Sequence, residues 1–253
     1  MLDRLRTLAL KAEPSPSTSQ WLQRHWLILD NSWLKILALL TMTIDHTASF
    51  LLSHIPACVV PVITIGSHPL SIYYALRLIG RLAFPIFAFL LVEGFRHTHN
   101  RLRYGLSLLL FALISELPWN LVHSGTLLYP VQNIFFTLLL GYLGICSIHY
   151  LGRHRLWQIL TLLLLLALSI VGRVDYGCSG FGFILMLHLL RSHPLPRAIV
   201  GCCILPARWV AGLAFIPISM YNGQRGFIRG PIAKYLCYIY YPLHLIILYL
   251  IRL

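Results

Sequence analysis

The chain has 253 residues, of which 58% are hydrophobic and only 11% charged, far from the balance of a soluble domain. Its 20 Lys and Arg against 7 Asp and Glu give a net charge of +13, which in a soluble protein would point to nucleic acid. Here most cations lie in short connectors between apolar runs, so they report membrane topology and contact with anionic lipid, and no nucleic-acid partner is expected.

Residues 1–32 begin "MLDRLRTLALKAEPSPSTSQ", basic and apolar side chains passing into a Pro/Ser/Thr stretch without the core or cleavage pattern of a secretory signal. They read as a basic cytoplasmic tail and linker ahead of a membrane domain over 33–253. Trp21, Trp26 and Trp33, with Arg24 and Lys35, are the aromatic and basic anchors of a headgroup boundary. A span takes about 20 mainly apolar residues. Candidates in chain order are Trp33 to Leu52, Ser71 to Phe95, Tyr104 to Val122, Val131 to Leu151, Leu156 to Gly172, Tyr176 to Leu190 and Tyr235 to Ile251. Another, Ala198 to Tyr221, is interrupted by Pro206 and Arg208. The fold class is therefore all-α, a polytopic helical membrane bundle with about eight transmembrane helices.

The connectors alternate in charge. "RHTHNRLR", "GRHRL" and "RSHPLPR" carry arginines, whereas "SHIPACVVPVITIGSHP" and "HSGTLLYP" have neither Lys nor Arg, which sets the N-terminus in the cytoplasm. The segment "YNGQRGFIRGPIAK" would lie outside if Ala198 to Tyr221 crossed once, so that region is either re-entrant, doubly crossing, or followed by a loop that keeps its charges outside. Eight spans is the preferred reading. Cys58, Cys146, Cys178, Cys202, Cys203 and Cys237 show no CxxC or zinc-type spacing and read as small buried hydrophobes, with no metal site.

Of the acids, Asp45, Glu93, Glu116 and Asp175 fall in or at the edge of spans. Arg77 and Arg81 share the second span at i and i+4, on one helix face. Each such charge costs roughly 2.5–3.5 kcal/mol near the bilayer centre, while each Leu, Ile or Phe returns about 0.3–0.6, so these groups need partners. Counting along the spans brings Asp45, His46, Arg77, Arg81 and Glu116 to similar depth, with Asp175 and Tyr176 at the outer rim and His244 near the middle of the last span. Neighbours on a helix point about 100° apart, so Asp45 is assigned to the Arg77/Arg81 pair and His46 to another helix, Glu116 being the first candidate.

This constellation suits general-base chemistry: an imidazole removes a proton from an attacking group while arginines stabilise charge on a carbonyl oxygen. The blander account is that Arg–carboxylate pairs only lock helices together and His46 only bonds a facing helix. His97, His99, His149, His154 and His193 read as solvated surface beside connectors. Pro85, Pro118 and Pro242 follow polar positions and can kink their helices to open a cavity.

Seven segments, "LKILALLTMTIDH", "RLIGRLAFPIFAFLLVEGFRHT", "FALISELPWNL", "NIFFTLLLGYLGI", "DYGCSGFGFILML", "YNGQRG" and "YYPLHLIILYLI", resemble, in this order, the TraX family of bacterial conjugal transfer proteins. The likeness runs from about Trp33 to the end. It implies an inner-membrane acetyltransferase acting on the N-terminal amine of pilin, with acetyl-CoA as donor. The histidine of the first span and the "YPLH" of the last are more distantly similar to integral-membrane acyltransferases. Departures are Gln224 where Lys is expected, which weakens any phosphate contact by that loop, and Val174 in place of a small residue.

Joined to the residues, the resemblance implies that Arg101, Arg103, Arg153 and Arg155 hold the CoA phosphates and that His46 accepts the proton of the amine. Arg77 or Arg81, oriented by Asp45, faces the oxyanion, and Glu116 supports His46. Asp175, Tyr176, Tyr241 and His244 position the substrates. Direct transfer and an acetyl-histidine route use the same residues. A proton-coupled transporter or lipid permease would also bury such charges, although the two halves of the chain show no repeat. A pilin-assembly scaffold without chemistry is the third reading.

Overall fold

The structure is a computed structural model that describes residues 26–65, 68–205 and 208–253. Most of the tail, with Trp21 and Arg24, and Pro206 lie outside the described residues. Helix α1 (Asn31–Phe50) is followed by a short α2 (Pro56–Val59) and a hairpin of β1 (Ile63–Ile65) and β2 (His68–Leu70), antiparallel with Ile63 opposite Leu70. Then come α3 (Ile72–Gly80), α4 (Ala83–His97), α5 (Arg101–Ser124), α6 (Ile134–Tyr150), α7 (Arg155–Val171) and α8 (Gly177–Leu189). Three shorter helices, α9 (Pro194–Ile204), α10 (Arg208–Gly212) and α11 (Phe215–Ser219), precede the long α12 (Gly230–Arg252). The class is all-α, and the stretches Asn31–His54, Ile72–His97, Arg101–Ser124 and Ile232–Arg252 are long and apolar enough to cross a bilayer, with shorter apolar helices between them.

Local chemistry sets the ends. Asp30 Oδ1 accepts the amides of Ser32 and Trp33 and caps α1, Asn133 caps α6 through Phe135 N, and Gly125, at φ 67°, lets α5 stop with its amide on Leu121 O. The second predicted span is not one straight helix. Proline cannot donate to the carbonyl four residues back, so Pro85 removes the bond to Arg81, and the chain turns at Arg81–Leu82 between α3 and α4. Pro118 and Pro242, by contrast, sit inside continuous α5 and α12.

Alternating passes give the bundle an arginine-rich end, with Asn31, His97, Arg101, Tyr150 and His193, and an opposite end, with Phe50, Ser124, Asn133 and Val171. The last predicted stretch before α12 departs from a simple crossing. Helix α9 has 11 residues, about 16 Å at 1.5 Å per residue, roughly half of a 30 Å hydrocarbon core. After α10 and α11 the chain is back where it entered: Leu29 N bonds Met220 O at 3.0 Å, Asn222 N bonds Leu29 O at 2.8 Å and Asn31 N bonds Gln224 O at 2.9 Å. The "YNGQRG" loop thus clasps the start of α1, with Ser32 Oγ on Arg225 O and Arg225 on His97 O. The three helices form a broken re-entrant hairpin, and the loop's cations fall with the other arginines, which removes the charge conflict in the sequence.

The core is apolar, running from Leu34 and Ala38 through Ile86, Ala112 and Ile145 to Leu245. Helix α7 packs mainly against α6 and α8 and turns Leu160, Leu163 and Leu164 outward, a lipid-facing periphery. The six cysteines are free thiols; none is the fully buried hydrophobe that the sequence suggests, since Cys178 and Cys203 face outward and the other four are partly exposed, Cys146 packing against the core.

Candidate active site

Helix α1 stands between α3 and α12, and its two adjacent polar residues point to different neighbours. Asp45 faces α3, where Arg77 Nη1 donates to its Oδ2 at 2.6 Å. The approach is close because Gly80 has no side chain: a Cβ there would lie 2.2 Å from Asp45 Cβ. The other Asp45 oxygen, Oδ1, is buried without a hydrogen-bond partner among the described residues. His46 faces α12, where its Nδ1 lies 2.6 Å from His244 Nε2 with the two rings parallel to within 3°. One turn earlier, Thr43 Oγ1 and the Tyr240 hydroxyl meet at 2.7 Å and fix the register that brings the histidines together.

The proton positions of the pair follow from its partners. His244 Nδ1 is 2.9 Å from the Tyr240 carbonyl, which can only accept, so that nitrogen carries hydrogen. Neutral His244 then presents a bare Nε2, which accepts from His46 Nδ1–H. His46 Nε2 is left as a lone pair with no partner among the described residues. His46 lines a cavity of about 230 Å³ together with Asp45, Arg77, Arg81, Asp175, Tyr176 and Tyr241.

The far wall uses a strained position. Tyr176 adopts φ 62° ahead of α8, in the left-handed region that non-glycine residues rarely occupy. Its ring stacks on Phe84 at 4.1 Å, in space left by Gly180, where a Cβ would come within 2.7 Å of Tyr176 Cβ. Thr137 Oγ1 donates to the Asp175 carbonyl and holds the turn. Arg81, at the C-cap of α3, lies among Tyr176, Asp45 and Asp175 and lines the same cavity as Arg77. Asp45, His46, Arg77, Arg81, Asp175, Tyr176 and Tyr241 are therefore gathered as the sequence suggests, although Arg77 alone makes the direct bond to Asp45.

Other predicted members stand elsewhere. Glu116 is not beside His46: its Oε2 accepts from Asn133 Nδ2 at 2.6 Å, which ties α5 to the cap of α6, off the cavity. His244 stands behind His46 and orients it rather than lining the cavity. Arg101 is committed to α6, with Nη1 2.8 Å from His149 Nε2 and 3.1 Å from the Tyr150 hydroxyl. Arg153 and Arg155 are exposed on the connector to peripheral α7, and only Arg103 lies beside α12, near Tyr235 and Lys234. The residue that sequence reasoning missed is His123. Its Nδ1 is 2.8 Å from Trp119 O, its ring lies 3.9 Å from Trp119, and it lines the cavity. Its signal was the cation-free connector "HSGTLLYP", whose Tyr129 stacks on it at 4.6 Å.

A TraX protein family model matches residues 30–252, nearly the whole described chain. The chain belongs to the TraX family. Among curated proteins it is similar to one from Dichelobacter nodosus named "Probable fimbrial assembly protein FimC, serogroup H1", 28% identical over a 249-residue alignment that covers 85% of this chain and 92% of that protein. No solved structure matches it. The family match takes in every residue of the cavity, from Met42 on α1 to Tyr241 on α12.

Proposed function

We propose that this TraX-family protein is an integral-membrane acetyltransferase of the bacterial inner membrane, moving acetyl from acetyl-CoA to the N-terminal amine of a pilin subunit. The observation that carries the reading is the fixed chain Tyr240 carbonyl, His244, His46, which leaves one imidazole lone pair beside two arginines inside an apolar bundle. The family and the fimbrial-assembly relative support pilin as the acceptor.

In this mechanism the amine attacks the thioester carbonyl while His46 Nε2 takes its proton, and His244 disperses charge from the imidazolium by accepting at Nε2. The tetrahedral oxyanion is stabilised by Arg77 or Arg81, with Asp45 holding Arg77 in place. The C–S bond breaks, the CoA thiolate leaves, and the proton on His46 passes to it; the new bond is the amide C–N. Arginines at the cytoplasmic end retain the N-terminus inside, by the positive-inside rule.

Mass spectrometry of pilin from cells with and without the protein tests this. The expected result is an acetylated amine that needs the protein and is lost with His46→Ala. Acetylation that persists without the protein overturns the enzyme reading, and acetylation that needs the protein but survives His46→Ala removes His46 as the base.

A further inference from the structure

Behind the polar cavity lies a second, smaller one of about 120 Å³, and the two share Met42, Phe87, Ile134 and Tyr241 as a common wall. The second is an apolar slot between α1, α4, α5, α6 and α12 that reaches the arginine-rich end at Lys35 and Tyr104. Its mouth is cationic. Lys35 lies within electrostatic range of Arg225 and Lys234, and Lys234 is near Arg103 and stands over the rings of Tyr104, Tyr235 and Tyr238 at 5.1, 5.6 and 5.4 Å. The one acid among these neighbours, Asp30, is committed to the α1 cap. Four cations, Lys35, Arg103, Arg225 and Lys234, against this one carboxylate leave an excess of positive charge that marks a place for an anion. At the inner limit of the slot the Tyr241 hydroxyl, on a residue only 4% exposed, finds no partner among the described residues.

We propose that this slot is the donor channel: the phosphates of CoA rest on Lys35, Arg103, Arg225 and Lys234, and the pantetheine arm runs through the slot to present its thioester at the Met42–Tyr241 wall. The inference rests on the acetyltransferase reading and names the residues that read the donor. From Lys35 to His46 is eleven residues of α1, about 16 Å. A pantetheine arm is comparable to about four extended residues, ~14 Å. The small, mainly apolar slot suits an extended thioester chain, and the Tyr241 hydroxyl can donate to a carbonyl arriving there. The donor then enters from one end of the bundle and the amine from the other.

Cys237, half-buried in the slot wall, is a native reporter. Full-length protein in membrane vesicles is treated with a small maleimide with and without saturating CoA, and each cysteine is followed by mass spectrometry, with outward-facing Cys178 and Cys203 as internal controls. CoA is expected to slow modification of Cys237 at least about fivefold and leave the two controls unchanged, and Lys234→Gln to raise the half-protecting CoA concentration about tenfold through loss of a charge-assisted phosphate contact. Unchanged labelling of Cys237 overturns the channel. Acetyl transfer to an amine with Cys237 unprotected leaves the enzyme reading standing without this channel, whereas protection without any transfer leaves a CoA site and removes the enzyme reading.

Discussion

The two cavities that meet at Met42 and Tyr241 are built on opposite principles. The outer one is lined by His46, Asp45, Arg77, Arg81 and Asp175, groups whose burial is costly unless geometry pairs them. The inner one is lined mostly by Leu39, Leu90, Leu91, Phe135 and Leu138, with charge kept to its mouth. On the proposed function, the first would carry the chemistry and the second would receive the acyl donor, since directed dipoles stabilise developing charge while an apolar slot reads shape.

The contrast breaks most sharply at His46. His46→Ala is expected to lower acetyl transfer by about 10²–10⁴-fold while CoA still protects Cys237; equal loss of both would merge the two cavities into one site. Asp45→Ala leaves the Arg77 guanidinium uncompensated in the bundle and is expected to destabilise the folded protein by about 3–5 kcal/mol, read as a lower thermal midpoint in detergent. An Asp45→Leu, Arg77→Leu double variant should recover most of that stability yet remain inactive, which separates the structural role of the pair from its catalytic one.

A smaller effect is expected for Gly80→Ala. The added Cβ falls 2.2 Å from Asp45 Cβ, so α1 and α3 must separate, at a cost of about 1–3 kcal/mol. The rate should fall with CoA protection unchanged. Least affected is Glu116→Gln, which keeps a carbonyl oxygen for Asn133 Nδ2 and should leave transfer within about twofold of the parent, since only a neutral rather than charge-assisted bond is exchanged. A large loss of rate there would restore Glu116 to the catalytic set.

Hydropathy was enough to place nearly every helix, because the bilayer imposes one length and one composition on each pass. It could not show the turn at Arg81, where a single missing amide on Pro85 outweighs an otherwise continuous apolar run. The convergence of Asp45 with Arg77 was legible because a buried charge must find its opposite. The partner of His46 was not, since neutral imidazoles bond many groups, and His244 lies 198 residues away with its register set by Thr43 and Tyr240. Depth alone brought Glu116 to His46, but depth carries no angle, and the face of α5 that bears Glu116 turns to Asn133 instead. The inner slot left no pattern in the sequence beyond apolar residues on five helices.

The last residue but one, Arg252, donates to Val122 O at 2.9 Å, at the end of the bundle away from the clasp that Gln224 forms with Asn31. Helix α12 therefore delivers the carboxyl terminus across the bilayer from the loop that precedes it. An impermeant label that reaches Gln224 from one compartment is expected to find Leu253 only from the other, which on the proposed acetyltransferase reading would keep the donor pool and the acceptor on separate sides of one chain.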